Sequence, residues 1–187
     1  MGQDDECSRL FTTTTTWHTD KTLSKNTKIP VKGVASIDQM VGRDDEDTQM
    51  LHVMAAGAEK YVRSFSWCKS VRDVYFGDGY GGVAAVFLFH IEPSSEGVDE
   101  WLWVISCDVS PAYLVTDSCK TPSQALTGYV EEVSKWVQLA KQGRSSKDVI
   151  PVYMPPTPEN AASVEDRLKI LATVIVPAFQ AAEVERE

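Results

Sequence analysis

Residues 73–119 hold eight carboxylates, Asp73, Asp78, Glu92, Glu96, Asp99, Glu100, Asp108 and Asp117, and no lysine or arginine. With 18 basic residues in the chain of 187, about four or five would fall in a stretch of this length, so the deficit is local. The same stretch contains Trp101, Trp103 and two apolar runs, so a one-signed electric field is carried on what reads as rigid core. Two partners suit such a field. A hard cation needs several oxygens converging on one point, whereas a basic protein needs only a complementary surface. No DxDxDG loop and no HExxH helix favours the cation, so no metal site is expected.

The other reactive residue types give weaker signals. A nucleophile relay needs a histidine within reach of a carboxylate and a Ser or Cys, and the chain has only His18, His52 and His90. His90 lies beside the loop of a predicted hairpin and Asp108 at the far end of the partner strand. Six residues at ~3.3 Å separate them by roughly 20 Å, which excludes a dyad between the two. Glu92 or Asp99 could pair with His90 instead. Cys7, Cys68, Cys107 and Cys119 form no CxxC and no paired ligand spacing, so they read as reduced thiols. A thiolate at Cys107 or Cys119 would need a nearby cation, and the acidic stretch offers none. Gly77-x-Gly79-x-Gly81-Gly82 resembles a phosphate loop only superficially. Here the glycines precede a strand rather than open a helix, and no GK[ST] exists. They read as a chain reversal. No catalytic residue and no cofactor is expected.

The elements that position these residues follow from periodicity. Leu51, Met54, Ala58, Tyr61, Val62, Phe65, Cys68, Val71 and Tyr75 recur at three and four, which predicts one helix over 49–75. Val83–Ile91 and Trp101–Cys107 predict an antiparallel hairpin, apolar on both faces and therefore covered on both. A symmetric loop sets Phe87 opposite Ile105, Phe89 opposite Trp103 and Ile91 opposite Trp101. Ala112–Thr116 and Val149–Tyr153 are candidate flanking strands, the second confined to an edge by Pro151. Thr121-Pro122-Ser123-Gln124 starts a helix that Gly143 ends, and Thr157-Pro158-Glu159-Asn160 starts another that Pro177 stops. The expected fold class is α+β, with an antiparallel sheet of two to four strands packed with three helices.

Residues 1–48 read differently from 49–187, which form the single expected domain. A five-threonine run, mixed charges and Asp44-Asp45-Glu46-Asp47, with no sustained apolar period, predict a disordered, flexible leader. An arm that folds on a partner, anchored by Trp17, is the functional alternative. A net charge of −9 argues against covering nucleic-acid phosphates. No apolar run approaches the ~20 residues that span a bilayer, and no secretory pattern opens the chain, so neither a membrane nor export is expected. A cytoplasmic location follows from this and the unpaired cysteines.

Gly81–Phe89, Asp99–Val104, Pro111–Val115 and Pro155–Glu159 together resemble a group of small uncharacterised bacterial proteins, over about residues 58–175. The resemblance implies a bacterial cytoplasmic protein and carries no chemistry. In the predicted hairpin, Asp78 and Asp108 meet at one end of the sheet with Asp117 near them, and Glu96, Asp99 and Glu100 gather at the other, beside Trp101. The leading expectation is a binding module, of inhibitor or immunity type, whose acidic face masks a basic protein partner. The alternative is an enzyme, metal-assisted or not, using carboxylates near Asp78 and Asp108.

Overall fold

The computed structural model describes residues 28–186. Five strands, β1 (Ala35–Ser36), β2 (Cys68–Tyr80), β3 (Ala84–Pro93), β4 (Trp101–Cys107) and β5 (Ala112–Val115), pair antiparallel in sequence order as a meander. Helix α1 (Asp45–Arg63) lies on one face of this sheet, and α2 (Pro122–Ala140), α3 (Pro158–Ile170) and α4 (Val176–Arg186) cover the other. A π turn over Leu171–Ile175 joins α3 to α4, making one rod. The fold is α+β with three helical rods and one strand more than the sequence predicts.

The central strand β3 is buried on both faces, as its unbroken apolar run requires. Ala85, Phe87 and Phe89 join Leu102 and Val104 against Leu51, Ala55 and Val62 of α1. Val86 and Leu88 join Trp103 and Ile105 against Leu126, Tyr129 and Val133 of α2 and Phe179 of α4. The register differs from the symmetric expectation by one residue: Phe87 pairs with Val104, Leu88 with Trp103 and His90 with Trp101. Because side chains alternate, that slip moves Trp103 from the face of the phenylalanines to the opposite one.

Three further expectations change. The helical period runs through Cys68, Val71 and Tyr75, yet these residues lie in β2, where register shifts after Cys68, Val71 and Phe76 hide the strand's alternation. The helix ends at Arg63, and the glycines fall at the end of β2 and in its turn to β3, where Gly82 has φ +75°. Residues 149–153 form no strand. Pro177 does not stop the last helix; the widened π turn just before it accommodates a residue with no N–H to donate.

Part of the segment 28–48, grouped with the leader in the sequence, packs against the domain. Ile29, Val31 and Val34 pack on the core, and β1 pairs with β2. The four acids 44–47 open α1. Asp44 caps it by accepting from Asp47 N at 2.8 Å, and three carboxylates sit in the first turn, where the helix dipole favours them. Asp47 is buried. It accepts from Arg43 N at 2.8 Å and Gly81 N at 2.6 Å, tying the helix start to the β2–β3 turn. Residues 1–27, with Trp17, His18 and Cys7, lie outside the described residues.

Candidate functional site

The expected caps of α2 and α3 are present: Thr121 accepts from Gln124 N and Thr157 from Asn160 N, with Pro122 and Pro158 in their first turns. Helices α3 and α4 each supply an arginine to the acidic stretch, which has none of its own. Where β2 ends and β3 begins, Asp78 receives Arg186 at 2.6 Å. The same guanidinium donates to Gly77 O at 3.0 Å. Burial pushes the Asp78 carboxyl above its ordinary value, with Arg186 pulling the other way. Asp108, at the same end, is paired with Arg167 at 2.8 Å. Each of the two acids that the enzymatic alternative needs is therefore held by an arginine.

The opposite end of the sheet carries the β3–β4 loop. Glu92 is taken by Lys69 and by Ser70 Oγ at 3.1 Å, and the lysine holds its carboxyl below the usual range. Glu96, Asp99 and Glu100 are exposed, and no lysine or arginine among the described residues forms an ion pair with them. Asp117 belongs here rather than with Asp78 and Asp108. Val115, the last residue of β5, pairs with Leu102 near the start of β4, so the chain leaves β5 at the loop end of the sheet. The Asp117 carboxylate is likewise exposed, with no ion pair to a described residue. The concavity on the loop, lined by residues 93–98 and Glu100, is shallow and open to solvent. It resembles a docking surface more than a reaction pocket.

Trp101 is half-buried, lying over His90 with ring centroids 4.3 Å apart and planes 7° from parallel. It is not a free anchor. His90 is 2% exposed and pairs through Nδ1 with Asp73 Oδ2 at 3.0 Å, not with Glu92 or Asp99. Its Nε2 lies 3.9 Å from Glu100 Oε2. Asp73, His90 and Glu100 thus form a line across β2, β3 and β4. Sequence reasoning missed Asp73 because residues 68–75 read as helix, and missed Arg167 and Arg186 because no local signal marks a contact across 59 or 108 positions.

Burial pushes Cys107 and Cys68 up, and Cys107 Sγ contacts Tyr129 Oη at 3.1 Å in the core. No helix among the described residues is long and apolar enough to cross a membrane. Compared with protein families, with curated proteins and with solved structures, the chain matches none.

Proposed function

We propose that this chain is a binding protein, of inhibitor or immunity type, that presents Glu96, Asp99, Glu100 and Asp117 to a basic protein partner. One observation supports the reading above all. Of the eight carboxylates in the acidic stretch, Asp78, Glu92 and Asp108 are neutralised by Arg186, Lys69 and Arg167, and Asp73 is hydrogen-bonded to His90, whereas the four at the loop end face solvent without a lysine or arginine. An unneutralised cluster on a rigid loop projects its field outward, accelerating encounter with an oppositely charged surface. The shallow, open shape of the loop suits a protein surface, and the half-buried Trp101 contributes an apolar floor rather than a protruding anchor.

The test is affinity capture from the native host at low and at high salt, with wild-type protein and with Glu96→Lys/Asp99→Lys. A basic protein retained by the wild type should be released by salt, because attraction between exposed charges is screened over about 8 Å at physiological ionic strength. The double reversal should not retain it. Equal capture by both proteins would remove the loop carboxylates from the interface.

A further inference from the structure

Helix α1 turns Leu51, Ala55, Ala58 and Val62 to the sheet. Beside that stripe runs a second one. Met50, Val53 and Gly57 follow one another at spacings of three and four, so they share a face of the helix. All three are exposed, Met50 at 41% and Val53 at 65%. Val83 in the β2–β3 turn, 38% exposed, widens the patch, and the same turn is tied to the helix by Gly82 N, which donates to Met54 Sδ at 3.3 Å. The opposite exposed flank of α1 carries Asp45, Gln49, His52 and Arg63 and is polar. Gly57 is the unexpected member of the stripe. Glycine inside a helix has the most backbone freedom to lose and is a poor helix former. Its usual structural reason is a neighbour too near for a side chain, and a Cβ at Gly77, Gly79 or Gly81 would indeed come within 3.0 Å of another residue. At Gly57 a Cβ would meet nothing within 4 Å. The missing side chain therefore serves no contact among the described residues, and it suits close approach by a helix from outside.

The ends of the stripe identify that helix. Glu46 lies two turns before Val53 and Lys60 two turns after it. Both are exposed, and neither forms an ion pair among the described residues. A second copy of α1, laid antiparallel about a twofold axis through Val53, sets Glu46 of each chain against Lys60 of the other. The same operation brings Met50 of one copy within one residue of Gly57 in the other, where its flexible side chain fills the space that glycine leaves. We propose that this chain self-associates as a twofold dimer through the face of α1 that carries Met50, Val53 and Gly57. Because a twofold interface repeats every contact, both charge pairs and both Met–Gly contacts form together. None of Glu96, Asp99, Glu100 and Asp117 lies on α1, so the dimer and the basic-partner reading can fail independently.

The experiment is sedimentation equilibrium of the full chain at physiological salt, where repulsion between two chains of net charge −9 is screened. The patch is small, and interfaces below about 1,200 Å² are weak and transient, so the concentration should run up to about 1 mM. The wild-type mass should rise toward twice the monomer value. Val53→Glu, which places two carboxylates at the axis, should hold it at the monomer value. Gly57→Gln should keep or raise the melting temperature while weakening association by about tenfold or more, a combination that a purely structural glycine would not give. Lys60→Glu should also weaken association by about tenfold, and Glu46→Lys/Lys60→Glu should restore it, because the swap rebuilds both pairs. A monomer at every concentration, as when a different protein takes the stripe, would overturn the dimer. Association that Val53→Glu leaves unchanged would overturn it too, by placing the contact elsewhere.

Discussion

The two ends of the sheet are built from similar residues and do different work. At the end holding Asp78 and Asp108, each carboxylate meets an arginine delivered by the C-terminal rod, and the pairs tie that rod to the sheet. Glu183, also on this rod, accepts from Ser123 N and Ser123 Oγ, both at 2.7 Å, at the start of α2. At the other end, among the described residues, Glu96, Asp99 and Asp117 form no ion pair, and Glu100 approaches the far nitrogen of His90. A run of acids in a sequence thus says little about field until the fold reveals which of them are neutralised. Here the chain spends its distant arginines on one end and leaves the other charged.

Both ends hang on the same central strand, so the largest effect comes from damaging it. Phe87→Ala should cost roughly 3–5 kcal/mol by leaving a cavity between β3 and α1, as measured by chemical denaturation. A loss below about 1 kcal/mol would place Phe87 outside the core. The arginine-held end comes next. Arg186→Ala strands Asp78 and Gly77 O without their donor and should destabilise by about 1–3 kcal/mol in the same assay. A neutral result would break the contrast between the ends.

Asp47 provides a pH-dependent version of the same argument. Its hydrogen bonds with the Arg43 guanidinium, offset in part by burial, and those from Arg43 N and Gly81 N hold its carboxyl at about 2, below the ordinary 3.8. A depressed folded-state value stabilises above the unfolded one, so the contribution, about 1–2 kcal/mol, is complete above about pH 4 and is lost as pH falls toward 2. Asp47→Asn should flatten that part of the stability–pH curve. The smallest effect belongs to the loop: Glu96→Lys and Asp99→Lys should each change stability by less than about 0.5 kcal/mol, since neither carboxylate has a partner to lose.

Local signals were legible where a side chain answers its own backbone. Thr121 with Pro122 and Thr157 with Pro158 mark helix starts because the bonds they make span three residues. The apolar runs of β3 and β4 are equally plain. β2 was not, since its register shifts break the alternation that a strand normally displays. The hairpin slip arose because the loop is not symmetric about its midpoint: Ile91 N donates to Glu100 O at 2.8 Å, so Ile91 sits level with Glu100 rather than with Trp101. At the site, Glu96, Asp99 and Glu100 could be grouped from the hairpin alone. The sequence allows Asp117 near Asp78 and Asp108, whereas the pairing of Val115 with Leu102 runs β5 back along β4 toward the loop end.

We propose that the loop end, not the arginine-held end, is where this protein meets positive charge. Titrating isotopically labelled protein with a deca-lysine peptide at low salt tests this most directly, by following backbone amide shifts. The predicted result is a set of shifts confined to residues 94–100 and around Asp117, abolished by Glu96→Lys/Asp99→Lys. Shifts centred on Asp78 and Asp108, or on the acidic first turn of α1, would contradict it.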